Sequence, residues 1–502
     1  MAKTIAVIDI GMTNKKIAIY SAGLKLLAIE KKSFDPVMAD GLEAHDLEGM
    51  EAWFFSTLKS LAASYDIGAL AICAHGATFV CADARGRAVL PCLYYTHEPG
   101  PEFQRRFYAM AGDPRELQAV TGTPVLSALI NPAKGFLLAR ELWPEAYATM
   151  ELALPYPQYW GMRFTGKAGV EGTYVGCHTY LYDWTKNDWS SVARVLGLRG
   201  KLPFPLRDSW EILGTILPEV AAATGLSPDT IVTMGIHDSN ASLLPYLIKD
   251  YGTEFIVNST GTWCVLMHPQ ERYGFAPGEI GKVVFFNRSA YNRPVKTAIF
   301  LGGKEYETWT GLYGAIAKRP NPISPNAALY AKIVREHSAF ILPEIVPGSG
   351  QFPGSMPRAI ENGLRYPLAD IESGRSTPAF MADPAEAEAV LNISLALQTI
   401  VALERAGLAP GQKIFTEGGF RNNADYNAIL AAALPANAIL LTDMSEATSF
   451  GAALTGLAAL EGKNPSELAG LFSIGQIPAY PMPGLAGLDD YRKEWLRLIA
   501  AD

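Results

Sequence analysis

In each half of this chain an apolar run enters a glycine-centred turn dressed with hydroxyls and leaves as a second apolar run. The first unit, residues 4–20, reads TIAVIDIGMTNKKIAIY, and the second, residues 255–267, reads FIVNSTGTWCVLM. Apolar runs joined by one tight turn are the pattern of a β-hairpin. The likeness between the two units is too slight to establish a duplication, but two domains of one kind would produce it. A chain of 502 residues also exceeds what one core organises, so two large domains are the default.

The first turn carries more than a hairpin needs. Asp9 closes the strand, Gly11 lets the backbone turn tightly, and Thr13, Lys15 and Lys16 follow. Glycine lets N–H groups approach a phosphate. A carboxylate at a strand end binds Mg²⁺, usually through water. A lysine neutralises charge on a transferring phosphoryl group. The set suits a metal-bound phosphate; an ordinary polar hairpin tip is the bland reading.

Other constellations have the same double character. Asp238, in GIHDSN (235–240), stands between a strand and a helix start, where it would take a proton from a hydroxyl, or merely cap the helix. Thr260, Gly261 and Thr262 offer donors to phosphate oxygens, or make a second hairpin turn. Gly418 and Gly419, before Asn422 and Asn423, let a flat base lie on the backbone beside a helix N-terminus, or simply introduce that helix. His75-Gly76 ends a strand and would reach a substrate hydroxyl; a lone histidine is more often structural. Gly451-Ala452-Ala453, opening a helix, fits close helix packing beside the pocket of Gly418 and Gly419.

Between these points the spacing predicts helices over 48–64, 134–148 (ending before Pro144), 385–405 and 422–434, with another starting near Glu446. Strands are expected at 69–74, 77–82, 413–420 and 438–442, loops at 202–216 and 345–356, and a Pro-rich tail after 475. GMRFTGKA (161–168) imitates a P-loop but ends in Ala168 where a Mg²⁺-binding hydroxyl belongs. GSGQFPG (348–354) is no dinucleotide fingerprint.

A net charge of −8 weighs against nucleic acid as the main partner. Five cysteines without a CxxC pair read as buried thiols in a reducing compartment. The N-terminal segment lacks an apolar stretch long enough for a signal peptide or membrane helix, so a cytoplasmic location and no membrane partner are expected.

In this order, the motifs resemble the FGGY carbohydrate kinases, within the actin-like, Hsp70-like and hexokinase-like ATPase superfamily, over nearly the whole chain. The family's D-x-G-T-T-N/S-x-K/R turn is matched by Asp9, Gly11, Thr13, Asn14 and Lys16; its G-x-x-H-G element by His75 and Gly76; and its K-L-x-W-L-x-x-x-x-P-E helix is echoed from Lys134 to Glu145. The G-x-x-D element matches Gly235 to Asp238, the S-x-G-T-S/W turn Ser259 to Trp263, and the G-G-x-x-x-N/S element Gly418, Gly419 and Asn423. Three departures stand out. Met12 replaces a threonine, Lys15 adds a charge, and the W-x-D-x-R sugar segment appears as Tyr94-Tyr95-Thr96-His97-Glu98. The GTW form of the second turn leans toward the rhamnulose and fuculose kinase branch.

The resemblance implies an α/β chain of two RNase H-like domains around a central cleft. Residues 1–243 would form the sugar side, 244–475 the ATP side, and 476–502 a tail with a short helix. ATP and Mg²⁺ would be the cofactors, and the partner a small sugar, a ketose or polyol; a homodimer is compatible with this. Asp238 would be the catalytic base, Asp9 the metal ligand through water, and His75, Gly76 and Tyr95 further sugar contacts. Gly11, Thr13, Asn14 and Lys16 would hold phosphate from one turn and Gly261 and Thr262 from the other, with Gly418, Gly419 and Asn423 at the adenosine. The alternative is a non-catalytic sugar- or nucleotide-binding member of the same fold, favoured by Met12 and the altered 94–98 segment.

Overall fold

The structure, a computed structural model, describes residues 3–249, 252–318, 325–444 and 446–501. Each glycine-turn unit lies within one of two seven-stranded sheets. The first sheet contains β1 (Thr4–Ile10), β2 (Asn14–Tyr20), β3 (Leu26–Ser33), β4 (Ile67–Ala74), β5 (Ile212–Thr215), β6 (Ile231–Thr233) and β7 (Ile236–His237). The second contains β8 (Phe255–Thr260), β9 (Cys264–Pro269), β10 (Val284–Arg288), β11 (Pro294–Phe300), β12 (Lys413–Gly418), β13 (Ala438–Thr442) and β14 (Gln476–Pro478).

The two sheets share one plan. In each, a hairpin and a further antiparallel strand lie to one side of the first strand, and parallel strands lie to the other. The spatial orders are β3-β2-β1-β4-β6 and β11-β9-β8-β12-β13. The weak likeness of the two units in sequence is thus a strong likeness in topology. β1 and β4 are buried along their whole length, and their continuous apolar runs reflect helices on both faces.

One covering helix, α1 (Leu47–Ala62), is capped by Asp46, whose Oδ1 accepts from Gly49 N at 2.9 Å. Its buried Met50, Phe54, Leu58 and Leu61 are spaced by four, four and three residues on one face. Among the other helices are α2 (Tyr156–Thr165), α3 (Asp238–Ile248), α4 (Gly302–Ile316), α5 (Pro384–Arg405), α6 (Ala424–Ala433), α7 (Ala447–Glu461) and α8 (Leu488–Ala500). α7 comes late in the chain but crosses back onto β1, β4 and α3. A Cβ on Gly451 would stand 1.8 Å from Ala241 O, so the α3–α7 contact is backbone to backbone, the close packing anticipated there. α5 has the length and hydropathy of a membrane span, yet 94% of that stretch is buried within the C-terminal half, as a core helix is.

Several expectations need correction. The helix expected from residue 134 ends before Pro144 as anticipated, spanning Pro132–Leu142; what the sequence did not show is that Pro144 opens a second helix, Pro144–Thr149, because proline suits a first helical turn. The stretch 202–216 is not all loop, since β5 pairs antiparallel with β6 at the sheet edge. The division expected after residue 243, which falls inside the continuous helix α3, is kept as a proposal; residues 1 and 502, the expected outer ends, lie outside the described residues. The tail is stitched into the C-terminal half: β14 pairs with β13, and α8 buries Tyr491 and Trp495. The P-loop imitation is the end of α2, closed by Gly166 in the left-handed conformation at φ 67°. All five cysteines are buried and free.

Candidate active site

The site begins at the turn between β1 and β2. Gly11 N donates to Asn14 O at 3.0 Å, and a Cβ on Gly11 would stand 2.9 Å from that oxygen. Thr13 and Asn14 are exposed at the tip, where Asn14 Oδ1 accepts from Ser33 Oγ at 2.9 Å. Asp9 is buried one turn of the pleat behind them and accepts from Ser449 Oγ of α7 at 2.8 Å. Burial pushes the Asp9 carboxyl above its usual range, against the pull of Lys16 and the Ser449 hydrogen bond.

Lys16 sits across the ladder from Asp9, with Nζ 3.9 Å from Asp9 Oδ2 and 2.5 Å from Glu446 Oε2. Burial works against its charge, but Asp9 and Glu446 outweigh burial and hold the ammonium above its ordinary value. Glu446 also pairs with Lys31 at 2.7 Å and takes a left-handed backbone, φ 53°, ahead of α7. Sequence reasoning missed both Glu446 and Ser449; no local motif marks them.

Lys15 is a correction. It was grouped with the phosphate turn, but strand alternation turns it away from Lys16. It is fully buried, donates from Nζ to Met12 O at 2.8 Å, and lowers the proton affinity of His45 and His75. Burial brings its own pKa down to about 8.

Asp238 opens α3 directly after β7. Asp9 and Ile236 both lie opposite Cys73 of β4, so the ends of β1 and β7 flank one strand and stand about 10 Å apart across the sheet. The Asp238 charge reaches Asp9 and raises its pKa further. The Asp238 Oδ1 accepts from Ser239 N at 2.5 Å and from Ser239 Oγ at 3.2 Å, and a third of the side chain is open to solvent. That is not a capping bond, which would reach two or three residues ahead. Burial raises the Asp238 pKa, partly countered by His75 and the Ser239 hydrogen bonds.

His75 follows β4 and faces the same space. Its Nδ1 lies 2.9 Å from Gly76 O and so donates to that carbonyl, leaving Nε2 buried without a protein partner. The rings of His45, Tyr95 and Tyr156 each lie 5.5 Å or less from His75 or, for Tyr156, also 5.3 Å from His45. Burial lowers His75 to about 4, and raises Tyr95 to about 12 with help from Asp238. Gly76 packs against His178 and His237. The structure therefore brings His75, Gly76, Tyr95 and Asp238 together. Three more of the seven histidines, His45, His178 and His237, surround them. In the altered 94–98 segment, Glu98 holds a neighbouring loop, accepting from Ala128 N at 2.6 Å and Gly100 N at 2.9 Å.

The second site lies on the other sheet. The turn from β8 to β9 is closed by Gly261 N donating to Trp263 O at 2.9 Å. α4 starts against it so closely that a Cβ on Gly303 would stand 2.0 Å from Gly261 O. Gly418, at φ 78°, approaches Thr260 O to the same degree. A pocket of about 630 Å³ opens here, lined by Gly261, Thr262, Tyr306, Gly419, Phe420 and Asn423 among others. That volume is in the range of small-molecule sites. Gly418 supports this wall rather than lining it. Asn423 caps α6, accepting from Tyr426 N at 3.0 Å, and donates to Asn392 Oδ1 at 2.8 Å.

Comparison with known proteins agrees with this arrangement. Residues 4–245 match the model of the FGGY family of carbohydrate kinases, N-terminal domain, and residues 252–465 that of the carbohydrate kinase FGGY C-terminal domain. A carbohydrate kinase from Novosphingobium aromaticivorans superposes with a TM-score of 0.79 at 26% identity, over 100% of this chain and 99% of that one. A ligand-bound xylulose kinase from Lactobacillus acidophilus gives 0.80 at 14% identity, covering 99% and 98%, and Plasmodium falciparum glycerol kinase with ADP gives 0.72 at 14%, covering 100% and 98%; these two speak to the fold alone. The xylulose kinase of Bacillus subtilis (strain 168) is 28% identical over 160 residues, 31% of each chain, so this chain spans about a third of that curated relative in the match. With both halves matched and both glycine turns in place, the chain belongs to the FGGY family of carbohydrate kinases.

Proposed function

We propose that this protein transfers the γ-phosphoryl group of ATP to a hydroxyl of a small uncharged ketose or related polyol, with Asp238 as general base. The observation that carries this reading is the Asp238 carboxylate, one-third exposed beside the unpartnered Nε2 of His75. Burial makes it a stronger base than a surface aspartate. A sugar hydroxyl placed there gives its proton to Asp238 while its oxygen bonds the γ-phosphorus, the bond to the bridging oxygen breaks, and ADP leaves. His75 Nε2 accepts from a second hydroxyl, and Tyr95 closes the wall. His45 and His75 are both held neutral by burial, and Lys15 is engaged by Met12, which suits a neutral substrate.

The residues around Asp9 fit a hydrated Mg²⁺: a carboxylate at a strand end, oriented by Ser449 and facing the exposed turn. The ion, when bound, would neutralise ATP phosphate oxygens. Gly11, Thr13, Asn14 and Lys16 approach the phosphates from one sheet and the Gly261 and Thr262 amides from the other. The 630 Å³ pocket beside Gly419 and Asn423 takes the adenosine. The curated relative matched over 160 residues bears the name xylulose kinase, which supports a polyhydroxy acceptor. Trp263 packs with Leu126, Cys177 and Phe285, an apolar wall that favours a deoxy-ketose within that class.

ATP turnover against pentuloses, deoxy-hexuloses and polyols tests the reading. One ketose should drive ADP formation, and Asp238→Asn should lower kcat by roughly 10²–10⁴-fold while ATP binding persists. Full activity in that variant would sink the base assignment. Sugar and ATP binding without turnover in the wild type would instead establish the non-catalytic alternative.

A further inference from the structure

The wall between Asp238 and α3 on one side and the 177–180 segment on the other gathers more ligand chemistry than phosphoryl transfer uses. Cys177 Sγ lies 3.7 Å from His237 Nε2, and His237 Nε2 lies 3.5 Å from Asp238 Oδ1. One ligand atom each from Cys177, His178 and His237 falls within 4.8 Å of the others. A tetrahedral zinc ion with bonds of about 2.3 Å to sulfur and about 2.0 Å to nitrogen or oxygen needs S···N edges near 3.5 Å and N···O edges near 3.3 Å. The Cys177–His237 edge, at 3.7 Å, exceeds the S···N value by a few tenths of an ångström, and the edges to His178 lie within 4.8 Å.

The two imidazoles are close neighbours. A Cβ built on Gly76 would meet His237 Nε2 at 2.6 Å and His178 Nε2 at 3.0 Å, so both nitrogens pack against the Gly76 backbone, where only a glycine fits. His178 Nδ1 lies 2.9 Å from Ile130 O, which fixes the proton on Nδ1 and leaves the Nε2 lone pair free. His237 Nδ1 lies 3.5 Å from the Asn240 amide, whose Oδ1 is buried without a partner; turned over, that amide accepts from Nδ1–H and frees Nε2 in the same way. A histidine whose far nitrogen donates to a carbonyl or amide oxygen is the usual metal-ligand arrangement. Consecutive ligands at 177 and 178 reach one side because His178 takes a positive φ of 36°.

We propose that Cys177, His178 and His237 bind a zinc-like transition-metal ion, with solvent in the fourth position, and that the ion, held next to the Asp238 carboxylate that lies 3.5 Å from His237 Nε2, makes the metal-bound form catalytically silent. Binding forms the metal–sulfur bond and releases the Cys177 thiol proton to solvent. A thiolate and two imidazoles reject Mg²⁺, which prefers oxygen ligands, so the ion that accompanies ATP does not compete. The open third of the Asp238 side chain provides the entry. The silencing rests on Asp238 being the general base; the binding does not.

Metal-free protein titrated with Co²⁺ should develop, at one equivalent, the tetrahedral visible bands and a sulfur-to-cobalt charge-transfer band, both erased by Zn²⁺. Cys177→Ser should lose the charge-transfer band and weaken Zn²⁺ binding at least tenfold. His178→Gln, at a partly exposed position, should keep the band and weaken Zn²⁺ by a similar factor; it carries the test if Cys177→Ser does not fold. Absence of the band in the wild type, or Zn²⁺ affinity unchanged in either folded variant, overturns the site. Zn²⁺ should also suppress phosphoryl transfer in the wild type at tenfold lower concentration than in Cys177→Ser; equal sensitivity overturns the silencing. Failure of the kinase reading shows separately, as no transfer in the metal-free protein while the cobalt spectrum remains.

Discussion

At the residue scale the most informative side chains are charges placed where charge is costly. Lys15 is buried with its ammonium on one backbone carbonyl, and its pKa falls from 10.5 to about 8. Below pH 8 the lysine is charged in both folded and unfolded chains, and the folded state bears the whole penalty. Between pH 8 and 10.5 the unfolded chain holds the proton and the folded one sheds it, so stability contributed at this site rises with pH. A shift of that size is worth roughly 3 kcal/mol, less about 1 kcal/mol for the hydrogen bond to Met12. Lys15→Met should therefore stabilise the protein by about 2 kcal/mol at pH 7, and urea titrations should show the gain vanish near pH 10.5. Asp238 gives the opposite probe. Its pKa is raised by burial, so the base is lost as pH falls through that raised value. The acid limb of kcat/KM should sit above the ordinary aspartate value of 3.8 and disappear in Asp238→Asn. A limb at or below 3.8 would contradict the assigned base.

Among elements, the crossing of α3 and α7 decides the geometry of the site. α3 presents Asp238, and α7 brings Ser449 to Asp9 just after Glu446 has met Lys16. The two helices touch backbone to backbone at Gly451. Any side chain there must separate them, because the obstacle is the Ala241 carbonyl and not a movable side chain. Overpacking of this kind costs about 1–3 kcal/mol. Gly451→Val should lower the melting temperature and weaken MgATP binding together, since displacing α7 pulls Ser449 from Asp9. Gly311, on α4, has open space around its added Cβ and serves as the control: Gly311→Ala should change neither. If Gly451→Val binds MgATP like the wild type, α7 does not position the phosphate turn.

For the whole molecule, the proposed reaction draws on both sheets. The proposed acceptor side, His75, Tyr95 and Asp238, belongs to the first sheet and its loops, and the pocket proposed for the nucleotide to the second. An open arrangement admits water as a competing acceptor, so closure should require both ligands. Small-angle scattering should show a smaller radius of gyration with the accepted sugar and a non-hydrolysable ATP analogue together than with either alone. ATP hydrolysis without sugar should be slow. Equal radii in all states would exclude domain closure as the gate.

The local pieces were legible from the residues alone. The strand–glycine–strand units, the placement of Asp9 and Asp238 at strand ends, and the helical run at 385–405 depend on short-range backbone rules, which need no partner. Alternation along β2 even requires Lys15 and Lys16 to face opposite ways, but alternation does not say which face meets phosphate and which is buried. The pairing of Lys16 with Glu446, the hydrogen bond from Ser449 to Asp9, and the meeting of Cys177, His178 and His237 beside Asp238 had no local signature. The first two contacts exist because a helix formed more than four hundred residues after the first strand crosses back over it. Backbone propensity acts within a few residues, while the direction of a side chain in a buried sheet is chosen by whatever packs above and below it.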